Sequence, residues 1–181
     1  MIRINRQFLL LLMVCLVIFP ACGTGKRRTH IDVSEVSLQD VKIHRYDLDL
    51  FRVRTGMLQQ DLEVLRPAYR FFLDADLSDT ARLNNMKAYL ENPRNVDFQG
   101  EAARQYRDVS GLEKGLTEAY RHLKYYYPGV KVPRVYSYIS GGDYDNPVRF
   151  ADTVLLIGID NYLGKDFKPY MSDGVPLYRI L

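Results

Sequence analysis

The sequence of 181 residues contains only two cysteines, Cys15 and Cys22, and no tryptophan. Cys15 lies inside an N-terminal apolar run that has the layout of a cleaved secretion signal, so the mature chain would retain Cys22 alone. A chain with a single cysteine cannot form an intramolecular disulfide. We therefore expect the exported domain to be stabilised by its core and not by cross-links.

Histidine is almost as scarce, and the three histidines, His30, His44 and His122, are scattered singly. None has the spacing of a zinc-binding motif, and the sequence has no His-Glu-x-x-His, no Gly-x-Ser-x-Gly and no phosphate-binding or dinucleotide-binding glycine pattern. No catalytic residue, metal ligand or cofactor is therefore predicted. The sequence favours a protein that is not an enzyme.

The excess of basic residues is confined to the N-terminus. The formal net charge is +3, from 25 basic and 22 acidic residues. Residues 1–28 hold five of the basic residues and no acidic ones, which leaves 20 basic against 22 acidic residues over 29–181. A near-neutral body has no electrostatic footprint for nucleic acid, so nucleic-acid binding is not expected.

The N-terminus has the layout of a bacterial lipoprotein signal. Arg3 and Arg6 are followed by an uncharged apolar run over 8–19, which is too short for a bilayer core of ~30 Å. Ala21 directly before Cys22 resembles the lipobox of lipoproteins, in which the thiol is acylated and the chain is cleaved in front of it. The alternative for Cys22 is an ordinary thiol at the end of a secretory signal.

These features predict three segments: a lipoprotein signal peptide over 1–21, the lipidated Cys22 with a flexible basic tether over 22–30, and a single domain over 31–181. Gly23 stands where an inner-membrane retention signal would have aspartate, and the tether has no acidic cluster. By resemblance to lipoprotein sorting, we expect the acylated cysteine to bind the outer membrane, with the domain on the periplasmic side, and not the inner membrane.

Hydrophobic periodicity predicts the elements of the body: a strand over 41–47, helices over 57–65, 79–90 and 101–126, and strands over 132–140 and 153–159. Ser110 and Glu113 have the spacing of a capping box, which allows a break in the last helix. The continuous apolar run over 153–159 predicts a strand buried on both faces. This order favours an α/β or α+β fold, with helices packed on a small mixed sheet.

The segment over 140–152 is too long for a tight hairpin, and long ordered loops tend to carry function. Asp143 and Asp145 suggest a calcium loop, but valines occupy two positions that an EF-hand requires to be glycine and glutamate. A plain acidic turn is predicted, with an isolated Ca²⁺ site as the alternative. Asp143 and Tyr144 are candidate residues of a partner-contact or structural loop.

The sequence has 14 tyrosines, some of them bunched at 125–127 and 136–138. Tyrosines in such a pattern line the core and its rim more often than they form a partner surface, so both interpretations stay open.

The segment over 125–136, YYYPGVKVPRVY, and the segment over 156–164, LIGIDNYLG, with Pro169-Tyr170 after it, resemble the gliding-motility lipoprotein GldB family of Bacteroidetes. The opening strand over 41–51 and the aromatic motif YRFF over 69–72 are similar to the same family in the same order.

The resemblance implies an accessory or structural envelope lipoprotein of the gliding-motility and associated protein-secretion machinery, with envelope proteins as partners. Asp160, Tyr162 and Gly164 are then candidates for a contact loop or a structural turn, and Gly164 is predicted to cap a short helical turn with positive φ. We expect this loop to act first as a turn, because the chain must reverse after a buried strand.

The family is also distantly similar to predicted zinc peptidases, so the resemblance implies the N-terminal half of a zincin-like fold. Members of the family are expected to continue beyond Leu181 with a helical half, which predicts a shortened chain with a domain incomplete at its C-terminus. The alternative function is a degenerate or incomplete zinc-metallopeptidase-like hydrolase, which would require the His-Glu-x-x-His helix that this sequence lacks.

Overall fold

The computed structural model describes residues 31–151 and 153–179. The predicted signal peptide, the lipidation site Cys22 and the tether lie outside the described residues. From Val33 onward the chain forms one compact unit.

This unit contains four strands and seven α-helices among its described residues. In chain order they are β1 Ile43–Arg45, α1 Tyr46–Asp49, α2 Leu58–Leu65, α3 Arg70–Leu73, α4 Thr80–Glu91, α5 Pro93–Gln105, α6 Ser110–Tyr126, β2 Arg134–Tyr138, β3 Val148–Ala151, β4 Val154–Gly158 and α7 Lys168–Ser172. Short 3-10 turns occupy Leu50–Arg52, Thr55–Met57, Ile159–Asn161 and Leu177–Arg179.

The strands form one mixed sheet in the order β1-β2-β4-β3. The first three strands in this order are parallel, with Ile43 beside Val135 and Val135 beside Leu155. Strand β3 runs antiparallel to β4 at the other edge, with Phe150 opposite Leu155. The prediction of an α/β fold with helices on a small mixed sheet is confirmed at this level.

One face of the sheet carries the main core. Tyr136 and Leu156 point from β2 and β4 into a cluster supplied by the helices before them. Phe72 stacks on Tyr46 with ring centroids 4.1 Å apart and meets Tyr136 edge-on. The buried helical members of the cluster are Tyr46, Leu58, Leu62, Leu73 and Leu90. The YRFF motif therefore supplies aromatic packing beneath the sheet.

The opposite face of the sheet is covered only in part. Helix α6 packs Leu116 and Tyr120 against the cluster that contains Ile43 and Val135. Beyond this cover, the side chains of Leu155 and Ile157 on β4 are half-buried, while those of Val148 and Phe150 on β3 are 48% and 64% exposed. We call these four residues the open sheet face.

The prediction that the strand over 153–159 is buried on both faces is therefore wrong. Val154, Leu156 and Gly158 are buried, whereas Leu155 and Ile157 are half-buried. A continuous apolar run does not reveal how far the covering helix extends, because that depends on which strands α6 crosses.

Helix α6 also covers the free edge of β1. The Glu113 carboxylate accepts hydrogen bonds from the Ile43 N–H at 3.0 Å and from the Lys42 Nζ at 2.8 Å, and the Thr117 hydroxyl accepts one from the Val41 N–H at 2.9 Å. An uncovered strand edge would leave these N–H groups without a partner in the protein.

The predicted capping box of Ser110 and Glu113 is consequently wrong. Glu113 bonds the edge of β1, and the Ser110 N–H and hydroxyl both donate to Asp108, at 2.8 and 2.9 Å. The predicted helix over 101–126 is two helices, because α5 ends at Gln105 and α6 begins at Ser110.

Two further boundaries differ from the prediction. The segment over 140–152 contains strand β3, whose alternation of Val148, Arg149 and Phe150 is a period-2 signal hidden inside an apparent loop. The helix predicted over 79–90 is followed at once by α5, because the Asn92 side chain accepts the Arg94 N–H at 2.9 Å and caps α5.

Candidate functional site

A polar side chain follows each of the three parallel strands at the same distance from the strand end. Asp47, Ser140 and Asp160 each stand two residues after the last residue of β1, β2 and β4. The carboxyl ends of parallel strands meet at one edge of a sheet, where α/β folds place their binding loops. We call the two loops over 140–146 and 159–164 the loop cluster.

Asp160 is the centre of this cluster and is fully buried. Its carboxylate accepts hydrogen bonds from the Ser140 N–H at 2.7 Å, the Ser140 hydroxyl at 2.8 Å and the Gly142 N–H at 3.0 Å. Three donors at these distances offset the cost of burying the charge. Asp160 thereby fixes the loop after β2 to the loop after β4.

The Ser140 hydroxyl has its hydrogen-bonding capacity filled. It donates to Asp160 and accepts from the Asp143 N–H at 3.0 Å and the Asn161 side-chain amide at 3.1 Å. A hydroxyl has one donor and two acceptor lone pairs. This geometry suits a residue that organises a loop, because no lone pair is left to attack a substrate.

Asp47 forms a second buried network, beneath the end of β1. The Arg45 guanidinium binds its carboxylate in a bidentate pair at 2.9 and 2.6 Å, and the Ser137 hydroxyl donates to it at 2.5 Å. The same guanidinium donates to the Tyr106 carbonyl oxygen at 2.6 Å. These contacts connect β1, β2 and the end of α5.

The acidic turn is closed by its own neighbours. Asp143 accepts hydrogen bonds from the N–H and the side-chain amide of Asn146, both at 3.2 Å, and forms an ion pair with Arg149. The Asn146 hydrogen bonds hold the pKa of the Asp143 carboxyl below its usual value, against partial burial. Asp145 pairs instead with Arg179 at 2.7 Å.

Tyr144 connects the loop cluster to α5 and to the end of α7. Its hydroxyl donates to the Asp173 carboxylate at 2.6 Å, and Arg94 binds the same carboxylate at 2.6 and 3.1 Å. Burial, followed by the hydrogen bond to Asp173, raises the pKa of Tyr144 above its usual value. The Tyr144 ring meets the buried Tyr170 ring edge-on at 5.6 Å.

Gly142 and Gly164 of the loop cluster adopt a positive φ, which residues other than glycine rarely adopt. Gly142, at φ +86°, donates to Asp160, and a Cβ there would lie 2.2 Å from the Arg94 guanidinium. Gly164, at φ +85°, has no neighbour within 4 Å of an added Cβ. The predicted positive φ of Gly164 is thus present. Its predicted capping role is wrong, because Tyr162 caps the 3-10 turn over Ile159–Asn161. Gly164 instead begins the next turn, in which its carbonyl oxygen accepts a hydrogen bond from the Phe167 N–H at 3.2 Å.

Tyr162 is 43% exposed and borders an apolar groove of about 290 Å³. Its carbonyl oxygen accepts a hydrogen bond from the Tyr106 hydroxyl at 2.5 Å, which holds the loop on the end of α5. The groove runs between α6 and the open sheet face. Its apolar lining comes mainly from Leu112, Leu116, Val148, Ile157, Ile159 and Tyr162.

The structure therefore links Asp143 to Asp160 through the Ser140 hydroxyl, while Tyr144, next to Asp143 in the chain, binds Asp173. Tyr162 and Gly164 lie at the rim of the loop cluster. Residues 26–180 match the model of the family described as gliding motility protein GldB. The chain belongs to the GldB family. No curated protein and no solved structure matches the chain.

The family match confirms the resemblance seen in the sequence, and it spans the loop cluster and the groove of this GldB protein. Within residues 31–151 and 153–179, no helix is long and apolar enough to cross a membrane. In the same ranges, no three His, Cys, Asp or Glu side chains come together in a group that could hold a metal ion.

Sequence reasoning missed several members of the site in this GldB protein: Asp47, Arg94, Ser140 and Tyr170. Each lies far in sequence from a partner it contacts, as Arg94 does from Asp173 and Asp47 does from Ser137. The one available signal was positional, because a polar residue recurs two places after each parallel strand. That signal becomes visible only when the strand ends are known.

Proposed function

We propose that this GldB protein is an accessory or structural component of the gliding-motility machinery and its associated protein-secretion system, without catalytic activity of its own. The observation that carries the proposal is the family match over residues 26–180. The loop cluster supports it, because the side chains of Asp160 and Ser140 are engaged in fixing loops.

The proposal includes the membrane anchor. The signal peptide over 1–21 directs export, and acylated Cys22 holds the domain at the outer membrane, on its periplasmic side. The Ala21-Cys22 pair after an apolar run and the glycine at position 23 support this placement. Multiple acyl chains give stable anchoring where one chain gives only reversible binding.

The partner is an envelope protein that binds the open sheet face and the groove beside it. Val148, Phe150 and Leu112 expose 48%, 64% and 48% of their surface there, and Tyr162 stands at the end of the groove. Neighbouring apolar side chains that remain exposed around a groove are typical of a protein interface. The fixed loop cluster holds Tyr162 in place beside it.

Replacement of the chromosomal gene tests the proposal. Phe150→Asp places a charge on the open sheet face, and we expect it to reduce protein secretion and surface translocation with no change in the amount of lipoprotein. Val64→Asp is the matched control, because Val64 is 75% exposed on α2, outside the open sheet face. Equal activity of the two variants would contradict the interface.

The absence of catalysis is tested separately. His44, one of the three histidines, lies exposed on β1 with its ring packed on Tyr136, the centroids 5.1 Å apart. We expect the purified protein to contain far less than one equivalent of zinc and to leave casein intact. Stoichiometric zinc with chelator-sensitive cleavage would instead favour the peptidase alternative. The correspondence of the sheet to the N-terminal half of a zincin-like fold stays a proposal that rests on the resemblance in the sequence.

A further inference from the structure

We propose that the C-terminal end of α6 is the surface of the domain that rests on the lipid headgroups of the bilayer. This surface, the tyrosine end, consists of Tyr125, Tyr126 and Tyr127 with Lys124 and Lys131. The inference rests on the proposed acylation of Cys22 and goes beyond it, because an anchor alone does not determine which side of the domain faces the membrane.

The start of the domain runs antiparallel to α6. Ile43 bonds Glu113, and Val41 bonds Thr117 one turn further along the helix. Asp40 then pairs with Arg121 at 3.5 Å, and the Ser37 carbonyl oxygen accepts a hydrogen bond from Lys124 at 3.0 Å.

The turn that precedes Ser37 is closed by the Val36 N–H and the Val33 carbonyl oxygen at 3.0 Å. From Ile43 back to Ser37, earlier residues therefore contact positions closer to the C-terminal end of α6. The turn before Ser37 holds Val33, the first residue of the domain, close to Val36 and Ser37, and Ser37 bonds Lys124 beside the three tyrosines.

The tether limits the distance between the beginning of the domain and the bilayer. Cys22 and Val33 are eleven positions apart in the sequence, a stretch that spans about 40 Å at most. A domain of about 150 residues has a radius of gyration of about 15 Å. A tether of this span keeps the beginning of the domain close to the bilayer, so the surface around Val33 meets the headgroups most often.

The chemistry of the tyrosine end suits a bilayer interface. Tyr125, Tyr126 and Tyr127 expose 50%, 58% and 65% of their surface. Tyrosine is enriched where membrane meets water, because its ring is apolar and its hydroxyl stays hydrated.

The charge around the tyrosines has the matching sign. Residues 118–134 hold four basic residues and one acidic residue, and the tether adds Lys26-Arg27-Arg28. Glu35 and Asp40 on the adjacent start of the domain offset part of this charge. The remaining positive charge attracts anionic headgroups.

This orientation leaves the proposed partner surface accessible. The chain over 37–43 leads into β1, so the C-terminal end of α6 lies toward the amino ends of the parallel strands. Tyr162 and the loop cluster lie at their carboxyl ends. A domain that rests on its tyrosine end presents the loop cluster away from the bilayer.

The absence of tryptophan permits a direct test. The full lipoprotein carrying Tyr126→Trp would be reconstituted into vesicles of phosphatidylethanolamine and phosphatidylglycerol, with and without brominated acyl chains. Tyr162→Trp is the matched control, because it makes the same exchange at an exposed site at the opposite edge of the sheet. Tyr127→Trp provides a second reporter at the tyrosine end.

We expect Trp emission from the Tyr126→Trp and Tyr127→Trp proteins to shift to shorter wavelength in vesicles and to be quenched by brominated lipid. Emission from Tyr162→Trp should do neither. Equal quenching at both ends, or quenching at Tyr162→Trp alone, would overturn the orientation. If the tyrosine end is shielded from soluble quencher in cells but is not quenched by brominated lipid, a protein covers it and the inference is wrong. If the protein does not float with the vesicles, the acyl anchor fails and the inference fails with it.

Discussion

Asp47 and Asp160 are both buried, yet their negative charges are balanced in different ways. Asp47 has the bidentate Arg45 guanidinium and the Ser137 hydroxyl. The hydrogen bonds of Asp160 come from two backbone N–H groups and one hydroxyl. A carboxylate held by N–H donors is sensitive to any change that removes an acceptor oxygen, because the donors stay buried.

Asp160→Asn tests this sensitivity. The amide group replaces one acceptor oxygen by a donor, which then faces donors from Ser140 or Gly142. We expect a loss of about 2 kcal/mol or more in the free energy of unfolding, measured by urea denaturation. Asp145→Asn is the control and should change it by no more than about 0.5 kcal/mol, because the Asp145 side chain is 82% exposed. Equal midpoints for the two variants would remove the structural role of Asp160.

Gly164→Val tests the positive φ in the rim of the loop cluster. An added Cβ has no atom within 4 Å, so the expected cost is the backbone strain at φ +85°. We expect a destabilisation of about 1 kcal/mol or more. Gly164→Asn should cost less, because asparagine adopts this region more readily. A melting temperature that is the same for Val and Gly at this position would contradict the strain.

Helix α6 hydrogen-bonds the edge of the sheet through two polar side chains, Glu113 and Thr117. Because Ile43 and Lys42 hydrogen-bond Glu113, Glu113→Ala leaves the Ile43 N–H without its partner. We expect a loss of about 1 kcal/mol and faster hydrogen exchange at the Ile43 amide. Glu118→Ala, on the exposed side of the same helix, is the control and should leave the exchange unchanged.

The Glu113 contact also predicts a pH dependence. The hydrogen bond from Lys42, with help from the Ile43 N–H, lowers the pKa of Glu113 below its usual value of 4.5. A carboxyl whose pKa is lowered in the folded state stabilises the fold fully above its unfolded pKa and loses that contribution as the pH falls through the folded pKa. Wild-type stability should therefore fall more steeply than that of Glu113→Gln as the pH drops below 4.5. Parallel curves would contradict the assignment.

Elements with strong local periodicity could be predicted from the sequence, and those determined by contacts could not. Helices α2 and α4 and strands β2 and β4 lie where the periodicity placed them, within a few residues. Strand β3 was missed because its four residues follow Pro147 and are defined by pairing with β4. The break before Ser110 was predicted close to its position. The Ser110 N–H and hydroxyl, however, donate to Asp108, while Glu113 accepts from the edge of β1.

The residues of the candidate site could also be predicted only in part. Asp160, Tyr162 and Gly164 were recognised through the family pattern that follows the apolar strand, and Gly164 has the expected positive φ. The partners of Asp160 were not predictable, because Ser140 and Gly142 lie twenty and eighteen residues away along the chain. Periodicity reports which face a residue occupies, and it does not report which distant loop returns to it.

At the scale of the whole molecule, the proposed membrane position of the domain depends on Cys22. Labelled palmitate should enter the wild-type protein and be absent from Cys22→Ala, because this thiol is the proposed site of acylation. Cys15→Ala is the matched control and should be labelled like wild type, because that residue belongs to the predicted signal peptide. Equal labelling of wild type and Cys22→Ala would show that the anchor lies elsewhere.

The strand order has a consequence for the time course of folding. Strands β2, β4 and β3 are close in sequence, so they can pair as soon as the whole segment over 134–158 has emerged. Strand β1 is made first, but its partner is β2, with Ile43 beside Val135, and all of the intervening helices must emerge before the two can meet. Such a long loop closure slows folding. A chain that passes through a membrane as an extended polypeptide, amino end first, therefore reaches the far side with β1 still unpaired, and β1 stays unpaired at least until β2 has followed it across.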